Sequence, residues 1–246
     1  MTSDPKKIIN DTLKELKKDR TIFHSESDFQ HCLAMKLSQQ HKEITNIRLE
    51  RSYFIQPEKN NIDDNEGKIK LDLEFCYKNK KYGIELKYKT KEFEYESQIN
   101  CEEFKLKNHQ AHNLAKYGFW HDVDRIYMLI NKKKIYGGFV IFLTNDMHYL
   151  DKDDGNNNMS QKFSICNDRE VNKDDKLNWY KNGKEIKEYF VNGKDELGES
   201  VPKKYKKTIQ VKENFTLKWQ DYSELSNSVN FKTVFKYLFI EIKNHH

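Results

Sequence analysis

Apolar residues recur along this chain with three rhythms. Ile8, Ile9, Leu13 and Leu16 recur at helical spacing, which predicts an amphipathic helix over residues 1–22. Phe29, Leu33 and Leu37 repeat at helical spacing. Ser25-Glu26-Ser27-Asp28 ahead of them reads as a capping box, with Asp in place of the usual Glu or Gln, so a second helix is expected from about Ser25. Period two then takes over. A strand is expected over Ile47–Ile55, followed by the polar loop QPEKNNIDDNEG. IKLDLEF (Ile69–Phe75) and YGIELKYK (Tyr82–Lys89) alternate and predict a hairpin with a short turn. After the Glu-rich loop KEFEYESQINCEE, one helix is expected from about Phe104 to Tyr117. Another is expected from about Asp122 to Ile130, with Val123, Ile126, Tyr127 and Ile130 on one face. Lys132, Lys133 and Lys134 suit the C-terminal end of that helix. Gly138–Thr144 is a continuous apolar run, the kind buried on both faces of a sheet.

Beyond residue 150 the pattern loosens. DKDDGNNNMSQ reads as a loop or disordered segment. Asn-Gly at 182–183 and at 192–193 marks tight hairpin turns. Phe215–Trp219 and Phe235–Ile242 read as strands, and no internal repeat is found. The division is an N-terminal helix at 1–22, an α/β core at 23–150 and a mainly β extension at 151–246.

Composition narrows the setting. Charged residues make up 34% of the chain and hydrophobic ones 36%, and mean hydropathy is −0.99. The 15 Phe, 14 Tyr and 3 Trp can still build a core. No apolar run reaches the roughly 18 residues a membrane helix needs. No long apolar segment follows the first lysines, so a secretory leader is not expected. Cys32, Cys76, Cys101 and Cys166 are widely spaced and form no CxxC pair, which fits free thiols in a reducing cytoplasm. The net charge of +5 comes from 44 basic against 39 acidic residues. It permits a nucleic-acid partner without demanding one.

The candidate chemistry lies on the hairpin. Ile69, Leu71, Leu73 and Phe75 should share one face, leaving Lys70, Asp72 and Glu74 on the other. Gly83, Glu85, Lys87 and Lys89 should likewise oppose Ile84, Leu86 and Tyr88. If the strands pair, Asp72, Glu85 and Lys87 cluster. Such hard oxygen ligands suit Mg²⁺ or Mn²⁺, and a lysine beside them can stabilise developing negative charge. The plainer reading is a solvent-facing polar side with cross-strand ion pairs. Glu26 lies at the leading end of the buried face of its helix, where it also favours the helix dipole. His109 and His112 have a helical i,i+3 spacing but no further ligand in view, and read as surface residues. Trp179 and Trp219 read as core anchors.

Asp72, a twelve-residue gap and Glu85-Leu86-Lys87 resemble the D…ExK signature of the PD-(D/E)XK nuclease superfamily. Phe23-His24-Ser25-Glu26-Ser27-Asp28-Phe29-Gln30 through Leu33, and Ile84–Thr90, are similar to the FHSE-x-DFQ-x-x-L and IELKYKT motifs of uncharacterised bacterial members. The resemblance spans residues 25–144. It implies a restriction-endonuclease-like αβββαβ core with a mixed sheet and Mg²⁺- or Mn²⁺-dependent cleavage of DNA. By the same resemblance Asp72 and Glu85 would be metal ligands, with Glu26 as a further ligand. Lys87 would be the catalytic lysine orienting the attacking water. Gln110, on a helical face with Leu114 and Tyr117, would support the site. Two positions depart from the pattern: Leu71 stands where the superfamily has Pro, and Leu114 where a QxxxY subgroup has Tyr. The resemblance allows a homodimer, although no dimer face is legible. Two other readings stay open: a nuclease-like fold that only binds nucleic acid or protein, and a C-terminal lobe that carries the function.

Overall fold

The computed structural model describes residues 4–55, 67–97, 101–152, 158–186, 190–191, 194–195, 201–202, 205–227 and 231–244. The loop QPEKNNIDDNEG up to residue 66, the middle of DKDDGNNNMSQ and the second Asn-Gly pair lie outside the described residues.

Helix α1 (Pro5–Asp19) starts at Asp4, whose carboxylate accepts from Lys6 N, and buries Ile8, Ile9, Leu13 and Leu16. Helix α2 (Glu26–Gln40) is capped by Ser25, whose Oγ accepts from Asp28 N at 3.1 Å. The Asp28 carboxylate reaches back to His24 N at 2.9 Å. The box therefore closes one residue earlier than its usual form, and satisfies two orphan donors in the same way.

Three antiparallel strands follow: β1 (Ile44–Phe54), β2 (Lys68–Tyr77) and β3 (Lys80–Lys89). The expected helix over 104–117 is not formed. Phe93–Ser97 (β4) and Glu102–Leu106 (β5) make a hairpin instead. Phe93, Phe104 and Leu106 are buried while Glu94 and Lys105 are exposed, a period of two that overrides helical spacing. One helix, α3 (His112–Asn131), replaces the two expected ones.

Strand β6 (Gly137–Thr144) is buried at every position and runs parallel to β3. Two late strands, β7 (Trp219–Ser226) and β8 (Lys232–Ile242), complete the sheet. Its order is β1-β2-β3-β6-β8-β7, six strands with one parallel pair. The protein is thus α/β with a mixed sheet. Helices α1 and α2 cover one face, packing on Leu73, Phe75, Ile84, Leu86 and Ile141. Helix α3 covers the other, on Leu71, Val140 and Phe142.

The C-terminal segment roofs α3. Trp179 stacks on Tyr117 at 5.6 Å, Trp120 Nε1 donates to the Phe163 carbonyl at 3.2 Å, and Lys207 pairs with Asp124 at 2.9 Å. Helix α3 is therefore buried on two sides. That blurs its 3.6-residue period and explains why the sequence divides it. The first Asn-Gly turn forms as read: Lys181 pairs with Lys184, and Asn182 and Gly183 have φ of 52° and 72°. All four cysteines are free. Among the described residues no helix is long and apolar enough to cross a membrane.

Helix α3 lies tight on the sheet at Gly138. A Cβ there would come within 2.7 Å of Ile126 Cγ2 and 2.8 Å of the Gly83 carbonyl. Gly138→Ala is expected to destabilise the fold by about 1–3 kcal/mol, read as a lower urea midpoint.

Candidate active site

The β2–β3 hairpin turns at Lys78 and Asn79, with φ of 49° and 60°. This is the two-residue turn whose twist matches the strands. Pairing runs from Tyr77–Lys80 to Leu73–Ile84 and ends there. Beyond it β2 switches face. Leu73 packs among the α1 and α2 side chains, whereas Leu71 belongs to the α3 side. Ile69, Leu71, Leu73 and Phe75 do not share a face as the alternation suggested. Glu50 of β1 has the left-handed φ of 57° and lies between the Leu49–Leu73 and Arg51–Leu71 pairs, across from the point where β2 switches face.

The parting of β2 from β3 makes the site. Two N–H groups of β3 are taken by carboxylates. Asp72 Oδ2 accepts from Leu86 N at 2.7 Å, and Glu26 Oε2, at the start of α2, accepts from Tyr88 N at 2.8 Å. Lys87 lies between these two amides in sequence. Glu85 and Lys87 face α3, which crosses at Gly118; a Cβ there would lie 3.7 Å from Lys87 Cε. The Lys87 ammonium meets Asp122 Oδ2 at 2.5 Å and donates to the Leu86 carbonyl at 3.2 Å. Arg125, one turn along α3, reaches both oxygens of Glu85 at 3.2 and 3.4 Å and Asp122 Oδ1 at 3.1 Å. It also donates to the Lys70 carbonyl. Glu85 is fully buried and Asp122 is 2% exposed.

The electrostatics follow from this crowding. Burial pushes the Glu85 carboxyl well above the ordinary range, with Arg125 opposing. Burial also raises Asp72, against Lys87 and the Leu86 amide. For Asp122 burial is outweighed by Lys87 and Arg125, and the carboxyl sits below its ordinary value. Burial works against the Lys87 charge, yet Asp122, Glu26, Glu85 and Asp72 together raise its pKa. Lys87 is therefore a cation at neutral pH and acts as a donor, not a base.

Asp72 and Glu26 thus lie against β3 on the amides either side of Lys87, while Glu85 and Lys87 are held from α3 by Arg125 and Asp122. Gln110 is not placed as expected. It is exposed in the loop before α3 rather than on a helical face with Leu114 and Tyr117. The cause is the β4–β5 hairpin, which delays the helix to His112. His109 also lies off the helix, with Nδ1 accepting from Thr90 N at 3.0 Å. His112 pairs with Asp146 at 2.6 Å.

Sequence reasoning missed Asp122, Arg125 and Gln30. The signal for the first two was an acid and a base three apart amid the apolar residues Phe119, Trp120, Val123 and Ile126. Gln30 is 5% exposed, and its amide donates to Glu50 Oε1 at 3.2 Å and to the Asp72 carbonyl, tying α2 to both strands where β2 switches face. Gln30→Ala is expected to cost about 1–3 kcal/mol in urea denaturation, because the amide is itself buried and the Asp72 carbonyl loses its donor, while exposed Glu50 keeps Lys70.

The donor set suits a hard divalent cation in kind. It is all carboxylate oxygen, and burial pushes two of the carboxyls up despite the cations beside them. Glu85 Oε1 has no well-aligned hydrogen bond and is faced by the Arg125 charge. The set is not closed as it stands, since among the described residues no three His, Cys, Asp or Glu converge as a ready ligand group. Compared with protein-family models, curated proteins and solved structures, the chain matches none.

Proposed function

We propose that the protein is a metal-dependent nuclease that hydrolyses DNA phosphodiester bonds on a restriction-endonuclease-like core. The observation that carries this reading is the seating of Asp72 and Glu26 on the β3 amides either side of Lys87, next to Glu85 on the same strand, where β2 and β3 part. The order α2-β1-β2-β3-α3-β6 supports it, with the β4–β5 hairpin inserted before α3. Free cysteines suit a cytoplasmic setting.

Asp72 and Glu85 would hold Mg²⁺ or Mn²⁺, with Glu26 beside them. The ion would lower the pKa of a bound water and offset phosphate charge. The chain's own part is fixed by the contacts above. The β3 amides orient Asp72 and Glu26. Asp122 holds Lys87 in its charged form, ready to donate to the attacking water or to the developing oxyanion. Neighbouring Lys89 and Lys91 can lie along the nucleic-acid backbone without reading its sequence.

One observation favours a second reading, a binding module without turnover: Arg125 already neutralises Glu85. The discriminating experiment is incubation of supercoiled plasmid and single-stranded DNA with Mg²⁺, Mn²⁺ or EDTA. The nuclease reading expects metal-dependent cutting, and a binding module would shift the DNA on a gel and leave it intact.

A further inference from the structure

Arg125 is the feature of the site that the nuclease reading does not use. Its guanidinium donates to Glu85 Oε2 at 3.4 Å and lies 3.2 Å from Oε1 without a well-aligned hydrogen bond to it, so the pair is held by charge more than by a closed fork. Those are the oxygens a divalent cation would need. A guanidinium already on the fully buried Glu85 opposes the arrival of a metal ion there, since the two positive charges would repel in a poorly screened place. Arg125 also has a way to leave. Its side chain is 18% exposed, and it keeps Asp122 Oδ1 and the Lys70 carbonyl as anchors after releasing Glu85. Both anchors lie outside the proposed ligand set.

We propose that Arg125 is a tethered counter-ion for Glu85 that a divalent cation replaces, so that loading the site exchanges one cation for another. This rests on the metal-binding part of the reading above. It assigns Arg125 a positioning role: it keeps Glu85 oriented and charge-balanced before the metal arrives and lowers the affinity with which the metal is taken up.

The test is Mn²⁺ binding without substrate, followed by the free-ion EPR signal, for wild type, Arg125→Gln, Lys89→Gln and Glu85→Gln. Arg125→Gln is expected to bind Mn²⁺ about tenfold more tightly. Lys89→Gln removes the same unit charge nearby without touching Glu85, and should change affinity by less than about threefold because that charge is screened. Glu85→Gln should lose about tenfold or more. Should Arg125→Gln fail to fold, the wild type still decides. The ¹⁵Nε signal of Arg125 should move on saturation with diamagnetic Mg²⁺, as the guanidinium leaves Glu85. An unmoved Arg125 signal, or equal tightening by Arg125→Gln and Lys89→Gln, would overturn the exchange while leaving the metal site intact if Glu85→Gln still weakens binding. No Mn²⁺ binding by any of the four proteins would overturn both the exchange and the metal-dependent reading.

Discussion

Lys87→Ala is expected to lower metal-dependent DNA cleavage by about a hundred- to a thousand-fold, the loss typical when a preorganised charge donor is removed from a dry site. The size of the effect follows from how the lysine is held. Four carboxylates, Asp122, Glu26, Glu85 and Asp72, keep it protonated although it is largely buried. Asp122 fixes its ammonium at 2.5 Å, so little reorganisation is needed when charge develops on a phosphate. Single-turnover cleavage at saturating Mn²⁺ measures this, because it separates chemistry from binding. Mn²⁺ affinity should fall little, since an ammonium is not a ligand. A loss of under about tenfold in the chemical step would show that Lys87 is not a catalytic donor.

Asp122→Ala is expected to destabilise the fold by about 3–5 kcal/mol. This effect does not depend on any function. Asp122 is shared by Lys87 and Arg125, and neither cation can reach bulk water fully from its place beneath α3. Removing the acid leaves two cations facing each other near a Glu85 that can balance only part of the charge. Asp122→Asn should cost less, because the amide oxygen still accepts one hydrogen bond. Urea denaturation of the three proteins gives the comparison. A loss below about 1 kcal/mol for Asp122→Ala would mean that solvent enters the site freely.

What the sequence made legible was local. The rhythm of Phe29, Leu33 and Leu37, the box at Ser25 and the alternation of Ile84, Leu86 and Tyr88 each report a single element against its neighbours, and those elements formed as read. The nearness of Asp72 to the strand that carries Glu85 and Lys87 needed only one hairpin and was also legible. The face switch of β2 at Asp72 was not, because it goes with the positive φ of Glu50 in the adjoining strand, which leaves no mark in the hydrophobic pattern. Nor was the true start of α3. Phe104 and Leu106 fit a helical face as well as a strand, and only their pairing with Tyr95 and Phe93 in β4 decides between them. Gln110 was misplaced for that reason. Asp122 and Arg125 meet Glu85 and Lys87 through tertiary packing alone, across a helix whose two-sided burial hides which face touches the sheet.

The most direct test of the central claim is cleavage of supercoiled plasmid and single-stranded DNA by wild type and Glu85→Ala, each with Mg²⁺, Mn²⁺ or EDTA. Nicking or cutting of at least one substrate by wild type, abolished by EDTA and by Glu85→Ala, is the expected result. Cleavage that survives EDTA or survives Glu85→Ala would contradict a metal-dependent site built on β2 and β3. Intact DNA in every lane, with DNA still bound, would turn the reading to a binding module.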